Sequence, residues 1–293
     1  MSDFSATDVA FTGIRFVGER PRAVATWAGV QVLISLVFGL FFIGLMGPYM
    51  VQLQGLNHTG QRPDPAQVLP ILAHVLPVYA LLLVFSLLFY GVLYATVARA
   101  VLRPEDERLG YIRFGMDEAR QILLVLLWFA VSIAAEVVGT IVVLVPAIVV
   151  SMMAHGLGTL IGVLASVAVA AAAIYCLVRL SLASPLTFDT RKVDLFGSWK
   201  LTRGHFWKML GTYGLVFGLF LVIGVLVMII TVAVAAVLGG LGAMASIFRP
   251  DMTSVSAYFV PARLAVSLIW ALVTPLFWAL VFMPASAIYQ RLR

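Results

Sequence analysis

The sequence predicts an all-α polytopic membrane protein with six transmembrane helices. They read as three repeated units, each an amphipathic interfacial helix followed by an antiparallel helix pair. Three observations carry this. Of the 293 residues, 62% are hydrophobic and only 11% charged, more apolar surface than a soluble domain of this length can hide. The charges gather in short clusters, and the apolar runs between them exceed the roughly 20 residues that a helix needs to cross the hydrocarbon core. A basic, aromatic lead-in segment recurs three times, each time directly before an apolar run. The alternating polar positions of a membrane β-barrel are absent.

The recurring segment is clearest at 194–209, DLFGSWKLTRGHFWKM, and similar stretches stand at 13–24, GIRFVGERPRAV, and 110–122, GYIRFGMDEARQI. Each has a basic residue flanked by large apolar ones: Arg15, Arg113 and Lys200. Each has a second basic residue seven or eight positions later: Arg22, Arg120 and Lys208. The even-numbered spans also end alike, with Tyr94 before Arg99, Tyr175 before Arg179 and Tyr289 before Arg291. Tyrosine suits the interface because its ring is apolar and its hydroxyl wet. The chain therefore reads as one transmembrane domain over 1–293, with units at about 8–103, 104–184 and 185–293.

Taken in order, residues 8–22 form an amphipathic lead-in with Phe11, Ile14 and Val17 on one face. Span one covers 23–46 and closes at Gly47-Pro48; it is too long for the apolar core of a cleaved signal peptide. The loop that follows holds one basic residue, Arg62, and a sequon triplet at Asn57-His58-Thr59 that carries no weight by itself. Span two covers 70–102, with a kink expected at Pro77. Span three, 121–153, exceeds the hydrocarbon thickness, so tilt or a break at Pro146 takes up the difference. A very short turn makes spans three and four antiparallel neighbours. Span four, 157–182, repeats small residues at Gly158, Gly162, Ser166 and Ala170, a strip that lets another helix approach closely. Span five starts near Met209, carries Gly214 and Gly218 on one face, and fades at Gly239-Gly240. The weakly apolar stretch 241–260 reads as an interfacial or re-entrant piece, and span six covers 261–289.

The net charge of +6 points to a membrane surface before nucleic acid. Of the 19 Lys and Arg, 16 fall on the side of the N-terminus; Arg62, Arg249 and Arg263 fall opposite. Positive residues stay cytoplasmic, so both termini are expected inside, in a bacterial-type inner membrane. The single cysteine, Cys176, permits no intrachain disulfide.

The segment GSWKLTRGHFWKMLG resembles the membrane domain found beside some bacterial glycerophosphodiester phosphodiesterases, and related six-span inner-membrane proteins of unknown function. The likeness rests on Trp199, Lys200, Gly204, Phe206 and Trp207 just ahead of a span. The catalytic barrel of that family and its His-Arg-Gly signature have no counterpart in this chain. The resemblance thus implies membrane location and lipid association, and not phosphodiesterase activity.

Catalytic spacings are absent: no HExxH, no GxSxG, no Walker-type GxxxxGK. The expected function is accordingly non-enzymatic, with no metal and no cofactor. His58, His74 and His155 fall on the outer side with Glu136, but their separations show no metal-site spacing. Glu136 is the one acid deep inside a span. A carboxylate there should face the protein interior, against another span, and is either a functional group or a neutral packing residue. At 194–209, written as a helix, Leu195, Trp199, Thr202, Phe206 and Leu210 share one face, and Lys200, Arg203 and Trp207 another. Such a segment either anchors the next span or recognises anionic head groups on the cytoplasmic side.

The candidate lipid-interface residues are therefore Trp199, Lys200, Arg203, Phe206, Trp207 and Lys208, with Arg15, Arg22, Arg113 and Arg120 in the other copies. The protein is read as acting through lipid or a membrane-protein partner. The alternative is a transporter or channel for a small or amphiphilic solute, using Glu136 and the Gly-rich helices. An intramembrane enzyme comes third, for want of paired catalytic groups.

Overall fold

The computed structural model describes residues 4–57, 64–153, 155–248 and 250–293. His58, Thr59, Arg62 and Arg249 lie outside the described residues. The chain is 87% helical, and the described residues contain no strand. Among the described residues, six helices are long and apolar enough to cross a membrane, so the chain is an all-α, multi-pass membrane protein.

The elements run α1 (Ala6–Ala10), α2 (Thr12–Glu19), α3 (Pro21–Asn57), α4 (Pro65–Leu102), a 3-10 turn at Arg108–Tyr111, α5 (Met116–Met153) and α6 (His155–Leu180). There follow α7 (Ala183–Thr190), α8 (Gly197–Leu201), α9 (Phe206–Phe248), α10 (Val255–Tyr258) and α11 (Pro261–Leu292). Several boundaries differ from the sequence reading, among them the start of α5 at Met116 instead of 121. Helix α3 continues through Pro48 to Asn57, because Met46, Tyr49, Met50 and Leu53 all pack on Ile71 and Val75 of α4. Helix α4 begins at Pro65 and runs across Pro70 and Pro77. A proline removes one donor and crowds one carbonyl, and a long apolar helix keeps its other bonds across that gap. Helix α9 runs past Gly240, where the backbone turns to φ 65 and ψ −167, a conformation open to glycine and not to side-chain-bearing residues.

The lead-in segments take three local forms. The first is the helix α2. The second is the 3-10 turn with an extended link to α5, and the third is the single turn α8, with residues 202–205 breaking it from α9. Segment 194–209 is thus not one continuous helix.

The chain divides into two compact units. One comprises residues 1–10, 87–215 and 282–293; the other comprises 11–86 and 216–281. The division falls within α4, α9 and α11 and does not follow the three sequence units.

In the second unit, α2 buries Gly13 and Phe16 against the protein, while Phe11 is 44% exposed and Ile14 and Val17 are half-buried. Gly13 decides this. A Cβ there would meet the Ala279 carbonyl oxygen at 2.3 Å, so only glycine lets α2 lie on the α11 backbone. Phe16 stacks on Trp27, ring centroids 5.4 Å apart. The far half of the 241–260 stretch lies against α3. The Met252 carbonyl faces Gly47, and the Phe259 ring faces Gly39. Asp251 accepts bonds from the Thr253 hydroxyl and N–H, which hold its carboxyl below the ordinary range.

In the first unit, α5 and α6 form an antiparallel pair. The small-residue strip of α6 is the contact: Gly158 faces Ser151 and the Ala147 carbonyl, and Gly162 faces Ala147. The ends of α4, α6 and α11 and the starts of α5 and α9 meet beneath this pair, together with α1, α7 and α8. Their core holds Phe4, Val9, Val178, Leu182, Met209 and Ile288.

Candidate functional site

Two features of the first unit bear on function: the 194–209 segment, and a cavity between the end of α4 and the start of α5.

The 194–209 segment is built on Arg179. The Ser198 hydroxyl donates to the Arg179 carbonyl at 2.7 Å and accepts from the Leu182 N–H at 3.2 Å. Thr202 also donates to the Arg179 carbonyl, at 3.3 Å. The turn is tight: the Gly197 N–H donates to Asp194 at 2.7 Å, and a Cβ at Gly197 would meet that carboxylate. The Arg179 guanidinium lies 5.0 Å from the Trp199 ring centre and 5.8 Å from that of Tyr175. Tyr175 in turn packs on Phe206 at 4.9 Å. Trp199 and Phe206 are therefore half-buried within the protein. Lys200 and Arg203 are exposed, and Trp207, at 79% exposure, is the ring that projects. Lys208 lies 5.4 Å from the Phe4 ring centre. The two faces read from the sequence survive as an inner and an outer set, although a break at 202–205 separates their halves.

The recurring Tyr–Arg pairs take three different partners. Tyr94 packs on Phe282 and Arg99 bonds Glu118. Tyr175 and Arg179 hold Trp199. The Tyr289 hydroxyl donates to Asp189 at 2.9 Å, and Arg291 pairs with Asp8. Arg15 and Arg22 are exposed on α2 and at the start of α3.

The cavity encloses about 370 Å³ and is lined by Arg99, Arg103, Arg113, Arg120 and Arg191, with Asp106, Asp117 and Glu118 among them. At its floor, Arg99 donates to Glu118 at 2.5 Å and to the Tyr111 carbonyl at 2.6 Å. These two side chains are 3% and 4% exposed. Asp117 takes both Arg103 at 3.4 Å and Arg120 at 2.8 Å, and Arg113 pairs with Asp106. The Phe188 ring stacks under Arg99 and Arg103, 5.4 and 4.7 Å away. Arg191 comes from the turn after α7, is exposed, and has no acidic partner among the described residues. Phe114 and Met116, at 85% and 68% exposure, stand at the edge.

Arg113 and Arg120 were legible as candidates from the sequence. Arg99, Arg103, Arg191 and their acids were not picked out as a group. The available signal was Arg99 and Arg103 one helical turn apart, facing Asp117-Glu118 across a short link.

Glu136 differs from expectation. It is exposed on α5 and, within its own unit, does not lie on the side that packs against α6. The half-buried side of α5 runs through Val131, Gly139, Val143 and Ala147, and extending its four-residue spacing passes through Ala135. Glu136 is one position, about 100°, off that stripe. It lines none of the cavities described for this chain. Among the described residues, no group of three or more His, Cys, Asp or Glu could hold a metal ion.

The chain matches no protein-family model, no curated protein and no solved structure.

Proposed function

We propose that this membrane protein works by associating with anionic lipid head groups on the side where its chain ends lie, and not by catalysis. The observation that carries the reading is the outer set of the 194–209 segment. Trp207 projects beside exposed Lys200 and Arg203 at the mouth of an apolar helix. A projecting indole suits the interface, and each basic residue there adds about 1 kcal/mol of attraction to an anionic surface. Arg15 and Arg22 of the first lead-in segment, both exposed, are read in the same role, whereas Arg113 and Arg120 of the second are also ion-paired to Asp106 and Asp117. The excess of basic residues on this side supports a cytoplasmic location in a bacterial-type inner membrane. The resemblance to membrane domains beside glycerophosphodiester phosphodiesterases fits the same reading. A membrane-protein partner remains the companion reading, supported by Glu136 standing exposed on α5.

The transporter reading keeps one support, in the second unit. A cavity of about 260 Å³ there is lined by Gln31, Ser35, Ser267 and Thr274, with Gln31 donating to Ser35 at 3.3 Å. It does not include Glu136.

The test is lipid retention. The protein is reconstituted in nanodiscs of mixed phosphatidylcholine and phosphatidylglycerol, and the lipid that stays bound is read by native mass spectrometry. Lys200→Gln with Arg203→Gln should lower phosphatidylglycerol retention about fivefold per residue. Unchanged retention in a folded variant would overturn the reading.

A further inference from the structure

The strongest feature left unabsorbed is the charge balance of the arginine cavity. Five arginines face three carboxylates. Asp117 is shared by two of them and Arg191 has no acidic partner among the described residues. Two positive charges are thus left over in a concave site. Its volume, about 370 Å³, falls in the range of small-molecule sites. Guanidinium groups match phosphate oxygens in paired hydrogen bonds, and gain most where water is partly excluded. The first turn of α5 adds little, since Asp117 and Glu118 already answer its helix dipole.

From this we propose that the cavity binds a phosphomonoester, whose charge at neutral pH approaches the missing two. Arg191 and Arg113 both line it and are exposed, while Arg99 and Glu118 in the same lining are almost fully enclosed. The edge residues Phe114 and Met116 are apolar and exposed. In a membrane interface they sit against acyl chains, which suits a phosphate carried on a lipid better than a free one. The proposal rests on the lipid reading above only for that source, and not for the phosphate chemistry.

The protein in nanodiscs is offered phosphatidate, phosphatidylglycerol or phosphatidylcholine, and separately soluble glycerol 3-phosphate over phosphatidylcholine discs. Lipid retention and thermal stabilisation are read. Wild type should prefer phosphatidate to phosphatidylglycerol, which is a diester with one charge. Arg191→Gln should reduce phosphatidate retention about tenfold, as expected for one charge-assisted contact. Its exposed side chain makes it safe for folding; Arg113→Gln serves as the second variant. Lys200→Gln with Arg203→Gln should leave the phosphatidate preference intact while lowering general anionic-lipid retention. If soluble glycerol 3-phosphate stabilises wild type and phosphatidate does not, the phosphomonoester site stands and its lipid source is overturned. If neither binds, or if Arg191→Gln and Arg113→Gln both keep the full preference, the proposal is wrong. If wild type retains phosphatidate but no phosphatidylglycerol, the lipid reading above fails and this one stands.

Discussion

The buried ion pair Arg99–Glu118 can be tested quantitatively. Both side chains are almost fully enclosed, at 3% and 4% exposure. Arg99 also donates to the Tyr111 carbonyl at 2.6 Å. That carbonyl belongs to a strained link: Leu109, Gly110 and Tyr111 have φ of 51, 64 and 68. For the two that are not glycine, the left-handed region costs on the order of 1–3 kcal/mol each. Arg99→Met therefore removes the charge beside Glu118 and the donor to the strained turn at once. Breaking one side of a buried pair costs about 3–5 kcal/mol. Relaxation and water entry around the orphaned Glu118 offset part of this, so about 3 kcal/mol is expected. Glu118→Leu leaves a buried guanidinium and should lose a similar amount. Arg99→Met combined with Glu118→Leu should be clearly less destabilised than the sum, by about 2 kcal/mol or more. Equilibrium unfolding in mixed micelles measures all three. Limited trypsin digestion adds a local readout, because Arg99→Met should speed cleavage after Arg108 and Arg113. Single losses below about 1 kcal/mol that simply add would refute the reasoning, since an enclosed pair cannot behave like a surface one.

Two further outcomes follow from the fold. In a Cys176→Ala background, single cysteines at Asp64 and Pro250 should react with an impermeant thiol reagent from the side opposite to cysteines at Arg108 and Lys192; a shared pattern would overturn the six-span alternation. Gly158→Leu should separate α5 from α6 and cost about 1–3 kcal/mol, whereas Glu136→Leu, one position off the contact stripe, should shift stability by no more than about 0.5 kcal/mol. A large loss at Glu136 would place a neighbour on that side of α5.

The spans were legible because membrane burial writes itself as long apolar runs, and α6 was legible in more detail because Gly158 and Gly162 can only mark close approach. Span ends were harder. Pro48, Pro70 and Pro77 read as interruptions, yet the packing of α3 on α4 carries both helices through them. The exposure of Glu136 was not legible because a stripe drifts around a helix, and one residue of phase decides which side a carboxylate takes. The candidate site was half legible. Lys200, Arg203 and Trp207 stand exposed as their pattern suggests, while Trp199 is drawn inward by Arg179. The arginine cavity was not legible as a whole. Its members come from four places in the chain, and Arg191 reaches it only because the turn after α7 adopts a left-handed backbone.

The docking of Phe4 and Val9 among Met209 and Ile288, with Asp8 bound to Arg291, sets an order for biosynthesis. Residues 4–10 leave the ribosome before nearly all of their partners, and at ordinary elongation rates they wait on the order of tens of seconds for α11. Until then an apolar plug stays undocked, available to a chaperone or a protease. A chain that stalls before α11 therefore leaves Phe4 and Val9 without part of their core and Asp8 without Arg291.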